Sequence, residues 1–280
     1  MFKHMQKAVY RNADLAGKIV NADSDMSFAG IVSGNNNGEV WVDSLTLPTI
    51  ALVWSEYLQC FQWMGSHAGS LLSIDLGELL NITLPEFCKE KGLDYVEYAC
   101  DLTEWYPVIH NALPQRNVME NWQMIYKQPT ELGFTDFSPE MPYGYKLQKI
   151  DAGFLHAIAN GNTVTNPEFL LDKLIPCWKE PGNYLRLGNG YAAICESEIA
   201  SVAVTDSRYQ DICSIGVETQ EKHRRKGLSG ILAQMLICEL NKQQLKVWWD
   251  CMECNTASQK TAQKAGLSFD HKYKVCWYNV

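Results

Sequence analysis

Hydrophobic positions fall into short runs split by Gly, Asn and Pro along most of the chain, and settle once into a long helical period. That period runs through Leu228, Ile231, Leu232, Met235, Leu236 and Leu240, the spacing of an amphipathic helix. Ahead of it, Ile212, Cys213, Ser214, Ile215 and Val217 read as a buried strand, joined through a polar turn at 218–222 to the basic loop His223-Arg224-Arg225-Lys226-Gly227. Beyond it come a strand at 247–251, an Asn255-capped helix over 256–265 closed by Gly266, and a final pair of strands. Upstream, 145–150 reads as a strand, 152–159 as a helix, and Asn166-Pro167 as the start of a helix that ends near Trp178. A turn at 181–183 and a hairpin, 191–195 with 199–204, complete this half.

The first half is richer in strands. Residues 1–27 read as a polar helical start followed by a loop. The runs at 28–33 and 39–43 read as a hairpin, because Gly34-Asn35-Asn36-Asn37-Gly38 between them tolerates positive φ. Residues 50–54 and 58–64 make a second strand pair. Residues 74–82 are helical, and Thr83 suits the cap of a further helix with Pro85 in its first turn and Gly92 past its end. A strand at 95–99 and a helix at 105–113 with Pro107 in its first turn follow, and 117–127 fits either a strand or a helix. The best linker is 132–143, with Pro139, Pro142 and Gly144 around it. This divides the chain into an N-terminal α/β domain, 1–140, and a C-terminal domain, 145–280.

With 280 residues, 46% hydrophobic and 20% charged, the chain is long enough for two globular domains. Its 24 basic against 32 acidic residues leave a net charge of −8, which argues against nucleic acid as a partner. The basic loop is a local exception that suits an anionic small molecule. The amino terminus has no apolar leader and no run is long enough for a membrane span, so a cytoplasmic protein without membrane association is expected. The ten cysteines are mostly scattered singly in apolar contexts, as buried reduced thiols are. Cys251 and Cys254 form a C-x-x-C, but with no second pair or suitably spaced histidine no metal is expected.

A strand, a cationic glycine loop and a helix in succession present backbone N–H groups and a positive dipole end to a phosphate. The pattern Arg224-x-x-Gly227-x-Ser229 resembles the acyl-CoA loop of the GNAT acyltransferase superfamily, with Ser229 where Gly or Ala is usual. The block from Val247 to Tyr278 resembles the closing half of the same fold, and the element order extends the likeness, more weakly, back to about residue 145. The resemblance implies an α/β (α+β) GNAT fold, with a mixed central sheet flanked by helices. The first 140 residues, which carry no such motif, would suit a second, smaller α/β half and could be a degenerate relative of it.

The resemblance further implies an N-acetyltransferase that moves an acetyl group from acetyl-CoA directly to a primary amine of a small molecule. Protein or peptide N-acetylation and a non-catalytic acyl-CoA sensor are the alternatives. In that picture Arg224, Arg225, Lys226, Gly227, Leu228, Ser229 and Gly230 hold the pyrophosphate, and the pantetheine arm lies along the strand ending at Val217. Asn255 and Ser258 match cofactor-contacting positions, although both also suit a helix cap. Glu218, at the end of the central strand, is the candidate base. The tyrosine that relatives often place four residues before the glycine matching Gly266 is Ala262 here, which leaves Tyr273 and Tyr278 as candidate acids. An exposed position is expected for His223. The acceptor amine is not legible, and residues 1–140 could cover the site, form a homodimer surface or supply acceptor contacts.

Overall fold

Strands form where short, fully apolar runs lie between turn residues. The computed structural model describes residues 5–8, 13–66, 75–129, 137–161 and 164–280. Its strands are β1 (Gln6–Lys7), β2 (Gly38–Val42), β3 (Ile50–Ser55), β4 (Cys60–Gly65), β5 (Tyr95–Cys100), β6 (Met119–Lys127), β7 (Tyr145–Lys149), β8 (Gly190–Cys195), β9 (Glu198–Tyr209), β10 (Ile212–Thr219), β11 (Lys246–Met252) and β12 (Ser268–Asn279). The chain divides into two units, 1–123 with 272–280, and 124–271. Parts of the expected linker (132–136) and of the amino-terminal helix (1–4 and 9–12) lie outside the described residues, as does the start of the helix expected at 74.

In the first unit the strand order is β1-β2-β3-β4-β5-β12. β2, β3 and β4 form an antiparallel meander, with Val40 opposite Val53 and Trp54 opposite Phe61. β4 and β5 run parallel, with Gln62 opposite Ala99. Helices Met26–Val32, 76–90 and Trp105–Asn111 accompany this sheet. Its core joins Trp41, Trp54, Phe61, Trp63, Phe87, Tyr98 and Trp105 to Cys276 and Tyr278 from the far end of the chain. Those two residues lie in the half of β12 that pairs antiparallel with β5, Cys276 opposite Tyr98 and Tyr278 opposite Val96.

In the second unit the order is β6-β11-β10-β9-β8-β7. β7, β8, β9 and β10 are successively antiparallel, and β10 and β11 are parallel. The crossover between that parallel pair is helix Leu228–Lys242. Its buried stripe, Leu228, Leu232, Leu236 and Leu240, packs with Ile215, Val247 and Trp249. Each unit therefore runs helices, hairpin, strand, helix, parallel strand, helix and strand, the mixed α/β order expected of the C-terminal half. The smaller N-terminal half repeats it.

Four local expectations are corrected. Residues 28–33 are helical, not a strand, because the Asp25 carboxylate accepts from Ser27 N and caps helix Met26–Val32. Thr83 caps nothing: it is helical itself, and Asp75, which accepts from Glu78 N, starts the 76–90 helix. Pro181-Gly182-Asn183 opens helix Pro181–Leu187, with Pro at a first-turn position that needs no N–H. The final pair of strands is one long strand, β12, of 12 residues. The region left open at 117–127 is strand β6.

Candidate active site

β10 is paired along one whole edge by β9, from Ile212 opposite Tyr209 to Thr219 opposite Ser201. Its other edge pairs with β11 for three residues only, ending with Ser214 opposite Trp248. Among the described residues no strand continues along that edge from Ile215 to Thr219, so β10 and β11 open into a wedge. A register irregularity in the β9 pairing between Ser214 and Ile215 falls at its apex, where a bulge increases local twist. Five residues at a strand's rise give the wedge a depth of about 15 Å. The backbone groups of Ile215–Thr219 that point into it are left for a ligand strand or water.

The basic loop stands at the mouth. A 3-10 turn, Glu221–His223, leads to Arg224, whose Nε donates to Thr219 O at 3.2 Å. Arg225 and Gly227 both adopt positive φ, 64° and 80°, and Gly227 is the N-cap position of helix Leu228–Lys242. No side chain caps this 15-residue helix, so among the described residues the first N–H groups, those of Leu228, Ser229 and Gly230, remain for an anion. An added Cβ on Gly227 or Gly230 would meet no atom within 4 Å. At Gly227 the glycine is required by the left-handed backbone. Thr219 Oγ1 donates to Ser229 Oγ at 3.4 Å, which ties the end of β10 to the helix's first turn.

His223 is not exposed: it is 7% accessible. Lys226 Nζ donates to the Tyr145 hydroxyl at 2.7 Å, and that hydroxyl lies 2.7 Å from His223 Nδ1. The Tyr145 hydroxyl thus accepts from Lys226 and shares a hydrogen bond with Nδ1, while His223 Nε2 lies 3.5 Å from Glu198 Oε2. Lys222 bonds the same Glu198 oxygen at 2.7 Å and is the first cause that holds its carboxyl below the usual range. One cation of the loop is thus turned back onto β7 by a chain of polar side chains.

The remaining residues singled out from sequence lie in β10, in and beside helix Thr256–Lys264, and in β12. Val217 is half-buried against the core, and its backbone pairs with Ala203. Glu218 is exposed near the end of β10, and its carbonyl accepts from Ser201 Oγ at 2.8 Å. Asn255 Oδ1 accepts from Ser258 N at 3.1 Å, and Ser258 Oγ accepts from Trp249 Nε1 at 3.0 Å, so both serve the start of helix Thr256–Lys264. Ala262 is fully buried in the second unit's core. Tyr273 and Tyr278 belong to the first unit. Tyr273 donates to Asp25 Oδ2 at 3.1 Å. Tyr278 is fully buried and donates to Leu80 O. Cys251 is buried and Cys254 exposed. Among the described residues no group of three His, Cys, Asp or Glu could hold a metal ion, and no helix is long and apolar enough to cross a membrane.

Sequence reasoning missed Tyr145 and Glu198, whose partners lie far along the chain. It also missed Asp206. An added Cβ at Gly216 would come within 2.3 Å of the Asp206 carboxylate, so that carboxylate rests directly on the glycine backbone of β10. Burial pushes it up to about 6, against the pull of Lys173. A glycine inside a strand is the signal that could have flagged such a close approach.

The sequence profile of the GNAT acetyltransferase family matches residues 18–276. No curated protein matches. Among solved structures, a GCN5-related N-acetyltransferase-like protein from Streptococcus suis 89/1591 is 19% identical, with 96% of this chain and 97% of that one covered and a TM-score of 0.65. A tandem GNAT protein from the clavulanic acid biosynthesis pathway is 10% identical, with 98% of each chain covered and a TM-score of 0.60. A GCN5-related N-acetyltransferase from Sphaerobacter thermophilus is 13% identical, over 98% of this chain and 95% of that one, with a TM-score of 0.59. At these identities the structures speak for the fold, and the profile, which spans most of the chain, speaks for kinship: the protein belongs to the GNAT acetyltransferase family.

Proposed function

We propose that this protein transfers an acetyl group from acetyl-CoA to a primary amine of a small molecule, directly and within a ternary complex. Family membership implies acyl transfer from an acyl-CoA; acetyl as the acyl group, and a small amine as acceptor, are our reading. The observation that carries it is the wedge between β10 and β11, with an uncapped helix N-terminus at its mouth. The N–H groups of Leu228, Ser229 and Gly230 and the charges of Arg224, Arg225 and Lys226 suit a pyrophosphate. The open edge of Ile215–Val217 suits an extended amide-bearing arm, which would pair with it as a strand does. Asn255 and Ser258, on the β11 side, are the further donor contacts in this reading. The bound thioester then lies near the backbone amides of the wedge, which can polarise its carbonyl. Its base belongs among the carboxylates of β10 and its neighbours, of which Glu218 is the most exposed.

Calorimetric titration with acetyl-CoA tests the donor site. Micromolar binding by the wild type, lost in Gly227→Glu, is expected, because glutamate places a negative charge and a strained left-handed residue at the anion site. An intact Gly227→Glu affinity would remove the loop from the site. Release of free CoA with an added amine separates the enzyme from an acyl-CoA sensor, which would bind without turnover.

A further inference from the structure

Asp206 lies in β9, and the buried Lys173 comes from helix Glu168–Trp178. The carboxylate rests on the backbone of Gly216, two residues past the last β10–β11 pair, Ser214 with Trp248. A donor arm that enters from the loop and follows β10 must stop where the two strands close, so its thioester end arrives beside Gly216. Glu218 stands near the mouth instead, two residues or about 7 Å further along the strand.

We propose that Asp206, rather than Glu218, accepts the proton of the acceptor amine. This rests on the acetyltransfer reading and names the group that performs one step of it. The amine arrives as an ammonium ion, and one N–H proton passes to Asp206. The freed lone pair forms the C–N bond at the thioester carbonyl carbon, and the C–S bond breaks; its electron pair, with the second proton that the nitrogen sheds in becoming an amide, leaves as the CoA thiol. Asp206 then returns its proton to solvent.

The position of Asp206 suits a base that must exchange protons near neutrality. Burial raises its carboxyl and Lys173 opposes that rise. From the same helix the Cys177 thiol also faces it; burial first, and then the Asp206 charge, push that thiol upward. Along β10, Gly216 contacts it through backbone, which leaves no side chain between the carboxylate and the strand.

The test uses the full chain, acetyl-CoA, and a panel of primary amines (tyramine, spermidine, glucosamine and an aminoglycoside), with thiol release followed from pH 5 to 9. In the wild type, kcat should rise with pH through a limb near 6. Asp206→Asn should lower kcat roughly 100-fold or more and abolish the limb, with the calorimetric affinity for acetyl-CoA unchanged. Lys173→Met, which leaves the carboxylate in place, should move the limb to higher pH, an effect that a purely structural ion pair would not produce. An Asp206→Asn enzyme that keeps its kcat and its limb overturns the proposal, as does a Lys173→Met enzyme whose limb stays in place. Acetyl-CoA binding without thiol release across the panel overturns the assignment of Asp206 and leaves the donor site standing. No acetyl-CoA binding at all overturns the acetyltransfer reading, and this assignment with it.

Discussion

Asp101, at the end of β5, shows what a single buried carboxylate does to this fold. Its Oδ2 accepts from Asn21 Nδ2 at 2.7 Å, Ser24 Oγ at 3.2 Å and Gly65 N at 3.1 Å. Burial nonetheless outweighs these bonds and raises its carboxyl to about 6. The folded state therefore holds the proton more tightly than the unfolded state does. Its contribution is most favourable below the unfolded value of 3.8 and is lost as pH rises through about 6. The loss amounts to about 3 kcal/mol. Hydrogen exchange across β4 and β5 should show the first unit losing protection between pH 4 and 7, and Asp101→Asn should flatten that slope. Such a residue is invisible in sequence, since Asp101 after a strand reads as turn chemistry. His223 is the same lesson at the site: its neighbours in sequence are charged, and only Tyr145, 78 positions away, makes its burial comprehensible.

At the scale of elements, the loop between β10 and helix Leu228–Lys242 is anchored by side chains outside it. The Tyr145 hydroxyl serves both Lys226 and His223. Tyr145→Phe should keep the ring and the fold but release the lysine, and it should leave His223 Nδ1 without its hydroxyl partner. The loss of about 1 kcal/mol of hydrogen bonding predicts a roughly 5-fold weaker calorimetric affinity for acetyl-CoA. No change would mean that the loop is held by its backbone alone. The loop, its strand and its helix were legible because their glycine, their charges and their apolar period all agree. Where they were not legible, the local signal was degenerate. Met26–Val32 is buried at six of its seven positions, so its hydrophobicity has no period and cannot tell a helix from a strand. The long β12 passes from exposed to buried along its length, which reads as two pieces.

At the scale of the molecule, the two units share one order of elements but differ in their parallel strand pairs. In the second unit the pair opens after three residues. In the first, the end of β4 is bonded across to β5 and beyond: Asp101 N donates to Trp63 O at 3.0 Å, the Asp101 carboxylate takes Gly65 N, and Trp105 Nε1 donates to Gly65 O at 2.8 Å. The wedge of the second unit has a stitched seam as its counterpart, so we expect calorimetry to give one acetyl-CoA per chain. Two would show that the seam opens. The repeated architecture was legible only as a strand-rich half without a motif, because the residues that close the seam are a Trp and an Asp of no special spacing.

The pairing of β12 with β5 has a consequence in time as well as in space. A ribosome releases β5 some 175 residues before the strand that covers its edge. At ordinary elongation rates that interval is on the order of 10–40 s. Throughout it Tyr98 and the β5 edge await Cys276 and Tyr278, and an unpaired edge beside apolar side chains is what invites misassociation. In this sequence the half that is made first is not finished until its last strand, β12, has been made.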